Sequence, residues 1–95
     1  MTTINASHIL VKTESEAKNL LQEINSKKII FEEAAKRFSL CPSKSQGGSL
    51  GDFTRGMMVP EFDTACFNPK NKSGDILGPI RTEFGFHLIK INSIN

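Results

Sequence analysis

The sequence contains no tryptophan and no tyrosine, so its seven phenylalanines supply all of the large aromatic side chains. Its two cysteines, Cys41 and Cys66, are too few for a disulfide-rich secreted scaffold. No apolar run approaches the roughly 18 residues of a transmembrane helix, and residues 1–5 lack the charged and apolar segments of a signal peptide. We therefore expect a cytoplasmic protein with reduced thiols and no membrane partner.

An excess of charge of one sign is also missing. Twelve Lys and Arg residues oppose ten Asp and Glu residues, which gives a formal net charge of +2, and the sequence pI is about 8.7. Nucleic-acid-binding domains usually carry a concentrated basic surface and a pI above about 9. Because the signs are interleaved here, we expect no nucleic-acid partner.

The length of 95 residues suits one domain and leaves no room for a second. Ile, Leu, Val and Phe make up 26 of these residues, which exceeds the share of about one in five below which highly charged chains stay disordered. The sequence therefore predicts a single folded domain over residues 1–95.

Apolar periodicity predicts a strand and two helices in the first part of the chain. Residues 5–12 alternate with large apolar side chains on both faces, which is typical of a central strand. The first helix begins at a capping box formed by Thr13 and Glu16. Both helices carry apolar residues at the i, i+3, i+4, i+7 spacing of a buried stripe. The stripes are Ala17, Leu20, Leu21 and Ile24, then Phe31, Ala34, Ala35 and Phe38.

The second part of the chain begins with a turn-forming stretch, residues 39–56, which holds four glycines and a short irregular strand around Leu50 and Phe53. Pro60 fits the first turn of a third helix. Residues 76–82 and 86–94 read as a hairpin. The element order β-α-α-β-α-β-β predicts an α+β domain, with helices packed against one sheet.

Few side chains can perform chemistry. His8 and His87 each lie in the middle of a predicted central strand, so on neighbouring strands their rings would meet. A buried pair of this kind must be hydrogen-bonded. It can satisfy itself as part of the core, support a site, or do both. Cys41 precedes Pro42 in a turn that presents side chains. Cys66 lies on the apolar face of the third helix, which favours a small buried hydrophobe.

Other chemistries fit these residue types less well. A zinc site built from the two histidines and two cysteines lacks any pair of ligands at short spacing. A nucleophilic Cys41 with a histidine base needs an oxyanion hole, and no segment marks one. The glycines match neither a dinucleotide fingerprint nor a phosphate-binding loop. We therefore expect neither a metal nor a cofactor.

Three segments carry a more specific signal. They are His-Ile-Leu-Val-Lys at residues 8–12, the stretch of residues 38–62 with Phe-Ser-Leu-Cys-Pro-Ser, Gly-Gly-Ser-Leu-Gly and Met-Val-Pro-Glu-Phe, and residues 78–90. Together they resemble the parvulin family of peptidyl-prolyl cis/trans isomerases, above all its small single-domain members. The resemblance implies a four-stranded antiparallel sheet of the parvulin and FKBP type, surrounded by helices. It also implies a monomeric isomerase that acts without a cofactor.

By this resemblance, His8 and His87 match the paired active-site histidines. Cys41 matches a position beside the isomerising bond that holds Cys or, in some members, Asp. Thr82 matches the hydroxyl residue linked to the histidines. Because Asp replaces Cys in some members, we expect Cys41 to tune the site rather than attack covalently.

The substrate-binding residues also follow from the resemblance. Leu50, Met58 and Phe62 match the apolar pocket that receives the proline ring, and Phe84 extends its apolar wall. Phosphate-directed relatives insert a basic loop after the first strand, whereas here Lys12 leads directly into the first helix. The implied substrates are therefore proline-containing peptides and unfolded or flexible protein segments, with no phosphate required. A peptide-binding module that has kept the pocket and lost turnover is the alternative.

Overall fold

The elements follow the predicted order in a computed structural model that describes residues 2–95. They are β1 (Ile4–Val11), α1 (Glu14–Asn25), α2 (Phe31–Phe38), β2 (Ser49–Phe53), α3 (Pro60–Cys66), β3 (Ile76–Thr82) and β4 (Gly85–Ile94). A short 3₁₀ helix (Pro42–Gln46) also lies within the predicted turn-forming stretch. Within the described residues, no helix has the length and apolarity needed to cross a bilayer.

The four strands form one antiparallel sheet in the order β2-β1-β4-β3. The predicted α+β fold is therefore confirmed, and β1 and β4 occupy the centre. Their register pairs Leu10 with His87 and His8 with Ile89, so the two histidines are diagonal neighbours. At one end of the sheet, Thr3 and Asn95 exchange two backbone hydrogen bonds of 2.9 and 2.8 Å, which places the two ends of the described chain side by side.

Each face of the sheet is covered by its own apolar cluster. The α1 and α2 side contains Ile9 and Val11 of β1, and the α3 side contains Ile4 and Ala6. Successive side chains of a strand point to opposite faces, so β1 contributes to both clusters, as a central strand should. His8 has the parity of Ala6 and therefore points to the α3 side.

The ends of α1 and α2 show where local patterns hold and where they fail. Thr13 caps α1, since its Oγ1 accepts a hydrogen bond of 3.2 Å from the backbone N–H of Glu16. In α2, the placement of Phe38 in the buried stripe was wrong, because its side chain is 47% exposed. Phe38 is the last residue of the helix, and its ring lies in a surface groove with Ile30 and Arg37.

Candidate active site

A cavity of about 350 Å³ lies between the centre of the sheet and the segment that runs from α2 to α3. Its lining is apolar apart from two histidines and a thiol. Seven of the eight predicted site residues line it: His8, Cys41, Leu50, Met58, Phe62, Phe84 and His87. The eighth, Thr82, is hydrogen-bonded to His87. The structure thus brings together all the residues that the sequence assigned to one site.

The two histidine rings meet as predicted from their strands. Their Nδ1 atoms are 3.0 Å apart, and the rings stack at an interplanar angle of 17°. Both side chains are buried. The pair therefore satisfies one polar atom of each ring inside the molecule.

Thr82 extends this pair into a chain of hydrogen bonds. Its Oγ1 lies 2.8 Å from His87 Nε2 and accepts a hydrogen bond of 3.2 Å from the backbone N–H of Phe84. A neutral imidazole carries one proton, so the chain runs in one direction at a time. If Thr82 donates to His87, then His87 donates to His8 and the Nε2 atom of His8 carries a proton. In the reverse direction, that Nε2 atom is an acceptor.

The electrostatics of the site favour neutral rings. Burial lowers the pKa of His8 from 6.5 to about 4, and the nearby charge of a protonated His87 contributes to that shift. Burial also lowers the pKa of His87. At neutral pH the pair therefore presents oriented dipoles to the cavity and no net charge. The Nε2 atom of His8 is buried and has no hydrogen-bond partner among residues 2–95.

Phe62 of α3 holds the histidine rings from the side. Its ring centroid lies 5.7 Å from that of His8 and 5.6 Å from that of His87, in edge-on geometry at 75° and 89°. Behind it, Phe53 lies at 6.2 Å, also edge-on. Edge-to-face contacts of this kind favour a fixed mutual orientation, so Phe62 both lines the cavity and orients the polar pair.

Ser39 fixes the segment that presents Cys41. Its Oγ accepts hydrogen bonds from the backbone N–H groups of Leu10 (3.1 Å) and Cys41 (3.3 Å). The N–H of Leu40 also donates to the carbonyl of Leu10 at 2.8 Å. The backbone on either side of Cys41 is thereby bound to β1, and the half-buried thiol faces the cavity.

Gly48, the residue before β2, lies against the backbone of His8. Its carbonyl accepts a hydrogen bond of 2.9 Å from the N–H of His8. Its φ angle of 84° lies in the left-handed region, and a β-carbon there would collide with the backbone oxygen of His8. This close approach requires glycine.

Four cavity residues were not predicted as site residues: Leu10, Leu40, Pro42 and Val59. Leu10 shares the strand face of His8, and the other three lie inside the motif segments. Leu10 could therefore have been predicted from its strand parity with His8, and the other three residues from their position in the motif segments. Ser39 also lies inside a motif segment, but its position there did not indicate its role, because its hydrogen bond to Leu10 depends on how the end of α2 packs beside β1.

The other cysteine lies outside the cavity. Cys66 is buried in the core on the α3 side. Burial, aided by the charge of Asp63, raises its thiol pKa to about 12. Its prediction as a small buried hydrophobe is confirmed. Among residues 2–95, no three His, Cys, Asp or Glu side chains form a group that could hold a metal ion.

Comparisons with known proteins decide the family. The sequence model of the rotamase family, described as the PPIC-type PPIase domain, matches residues 7–93. NmPin, the parvulin of Nitrosopumilus maritimus, is 39% identical and superposes with a TM-score of 0.84 over 98% of both chains. The chain belongs to the PPIC-type PPIase domain family, the parvulins.

Larger proteins contain a similar parvulin domain. Foldase protein PrsA 1 of Bacillus cereus is 46% identical over 92 residues, which are 96% of this chain and 31% of that protein. The crystal structure of the peptidylprolyl isomerase PrsA from Bacillus anthracis has a TM-score of 0.92 at 42% identity, over 99% of this chain and 42% of that one. The chain thus spans about a third of the length of the curated relatives it matches. The parvulin resemblance seen in the sequence is confirmed.

Proposed function

We propose that this chain catalyses cis/trans isomerisation about X–Pro peptide bonds in unfolded or flexible polypeptides. The observation that carries the proposal is the cavity itself. An apolar space of about 350 Å³ lies against a neutral, hydrogen-bonded histidine pair. Its chemistry suits a small apolar ring attached to an amide.

The reaction needs no covalent step. Rotation about an ordinary amide crosses a barrier of about 18–20 kcal/mol, and X–Pro bonds isomerise over tens to hundreds of seconds. A catalyst must only bind the twisted amide more tightly than either planar form. Each tenfold in rate requires about 1.4 kcal/mol of that preference.

The apolar surroundings of the amide itself supply that preference, because they disfavour the planar form. Twisting removes the double-bond character of C–N and makes the amide less dipolar, so an apolar site disfavours the planar state more than the twisted one. Leu50, Met58 and Phe62 hold the proline ring while the carbonyl side turns. Cys41 lies at the edge of the same cavity and tunes the local field without forming a bond to the substrate.

The histidines orient the site. The hydrogen bonds from Thr82 through His87 to His8 fix both rings, and Phe62 packs edge-on against them. Because the pair is neutral, it neither attracts nor repels a charged substrate strongly. Its role is to keep the cavity in a shape that fits the turning amide.

The rim of the cavity favours apolar neighbours of proline. Leu40 is 59% exposed and Phe84 is 61% exposed, although both line the cavity. None of the lining residues is charged. Recognition of a phosphate needs charged hydrogen-bond donors such as Arg or Lys. We therefore propose a neutral or apolar residue before proline and no phosphate requirement. Action as a monomer and a cytoplasmic location stay predictions from the sequence.

The test is isomerisation of short Ala-Xaa-Pro-Phe peptides, followed by NMR exchange or by a protease-coupled assay. We expect faster isomerisation with Xaa as Ala or Leu than with Xaa as Glu or phosphoserine, and no loss of rate in a chelator. Binding of these peptides without acceleration would overturn the proposal in favour of a non-catalytic peptide-binding module. A clear preference for phosphoserine would overturn the proposed substrate class.

A further inference from the structure

The wall of the cavity includes a loop that is only partly buried. Residues 54–59 join β2 to α3 and carry Met58 and Val59 into the lining. Met57 beside them is 64% exposed, and both Met58 and Val59 are only half-buried. Met58 and Val59 do pack against the core cluster on the α3 side, but this partial burial leaves room for hydrogen bonds to help fix the position of the wall.

We propose that Asp63 is a positioning residue that holds this wall in place, an inference that rests on the proposed isomerase function. Asp63 contacts the loop at two points. Its Oδ1 accepts a hydrogen bond of 2.9 Å from the N–H of Gly56, and its backbone N–H donates to the carbonyl of Val59 at 2.9 Å. These two points lie on either side of Met58. The bond to Val59 is the first i→i−4 bond of α3 and would form with any residue at 63, so the carboxylate bond to Gly56 is what the Asp63 side chain adds.

Arg55 makes a second attachment to the same helix region. Its Nη2 donates to the carbonyl of Phe67 at 3.1 Å, and its guanidinium carbon lies 5.0 Å from the centre of the Phe67 ring. Phe67 directly follows α3. The loop is thus bound to both ends of the helix that carries Phe62, and the two sides of the proline pocket are held at a fixed separation.

The kinetic consequence follows from the shape of the substrate. The proline ring is the same in the planar and twisted amide, so contacts to the ring bind both states equally. Losing such contacts raises KM and leaves kcat unchanged. A loosened Met58 wall should therefore weaken substrate binding rather than slow the rotation.

Three variants separate this role from a general effect on the helix. Asp63→Ala removes the carboxylate, whereas Asp63→Asn removes the charge near the start of α3 and keeps an oxygen that can accept from Gly56. Arg55→Gln removes the second attachment. Asp52→Ala is the control, because the exposed Asp52 carboxylate also accepts a hydrogen bond, from the side chain of Asn5, outside the cavity.

We expect Asp63→Ala to raise KM for Ala-Leu-Pro-Phe about fivefold with kcat within twofold of wild type, and Arg55→Gln to raise KM in the same direction. Asp63→Asn and Asp52→Ala should keep the wild-type KM. Each variant is first checked for folding by circular dichroism. An Asp63→Ala variant that fails to fold leaves Arg55→Gln to test the attachment.

Two results would overturn the proposal. One is a folded Asp63→Ala and a folded Arg55→Gln with unchanged KM. The other is an equal rise of KM in Asp63→Ala and Asp63→Asn, which would assign the effect to charge rather than to the hydrogen bond. If the wild type binds the peptide without turnover, the isomerase function fails by itself. The role of Asp63 is then tested by binding alone, because Asp63→Ala should still raise the Kd of the peptide, measured by NMR titration, about fivefold.

Discussion

Lowering the pH from 7 to 5 should destabilise the folded protein through the buried histidine pair. The pKa of His8 is lowered from 6.5 to about 4 by burial and by its neighbour. When the chain unfolds, His8 regains its ordinary pKa and takes up a proton below about pH 6.5. Stability rises with pH wherever the unfolded state binds more protons. The contribution of His8 is therefore complete above pH 6.5 and is lost as the pH falls toward 4.

The magnitude follows from the shift. At pH 5 the unfolded His8 is almost fully protonated and the folded one is almost fully neutral. Linkage then makes the free energy of unfolding about 2 kcal/mol smaller at pH 5 than at pH 7 from His8 alone. The lowered pKa of His87 acts in the same direction. The chain has two histidines, and carboxyl groups titrate mainly below pH 5, so this window isolates the pair.

Urea unfolding at pH 7 and at pH 5 measures the difference. The matched variant is His8→Gln, which keeps an amide that can bond to His87 Nδ1 and does not titrate. Its unfolding free energy should change between the two pH values by about 2 kcal/mol less than that of the wild type. NMR titration of the ring protons of His8 in the folded protein gives the midpoint directly.

A wild-type unfolding free energy that is equal at the two pH values would refute this reasoning. A folded-state midpoint for His8 above pH 6 would refute it as well, because the ring would then be as easily charged as in water. Either result would mean that solvent reaches the two histidine rings, and the interpretation of the pair as neutral and fixed in orientation would be wrong.

The remaining predictions concern the cavity and the turn behind it. In the proposed mechanism Met58 and Phe62 hold the proline ring, so Met58→Ala and Phe62→Leu should each lower kcat/KM by about tenfold or more. Cys41→Ser should stay within about threefold. The peptide assay ranks the three variants, and a folded but inactive Cys41→Ser would contradict the non-covalent mechanism. Gly48→Ala should be about 2 kcal/mol more destabilising than Gly51→Ala in urea, because both have left-handed φ angles but only the former meets the backbone of β1. Equal losses would show that the close approach can relax.

The fold was predictable because its apolar patterns are local and consistent. Large side chains on both faces of residues 5–12 identified a central strand, and the helical stripes identified α1 and α2. The 3₁₀ helix at Pro42–Gln46 has no apolar periodicity, so the sequence pattern did not predict it. Phe38 continued a helical period past the point where the core covers it.

The site was predictable to the extent that it lies in strands and motifs. The apolar pattern predicted the strands that carry His8 and His87, and the family resemblance predicted the pocket residues. The contacts that hold the pocket together were not predictable. Ser39 bonds to β1 across 29 residues of sequence, and Asp63 binds a loop that precedes its helix, so both depend on how separate elements pack.

The adjacent ends of the described chain also bear on how such a domain can be combined with others. Thr3 and Asn95 are joined by two backbone hydrogen bonds, so a polypeptide that enters at one end leaves at almost the same point. A domain with this geometry can be inserted into a surface loop of a host protein without forcing the host's own elements apart. For the same reason, a short linker should suffice to close the ends and move the chain break elsewhere. The cavity beside the histidine pair would then move with the domain as one unit.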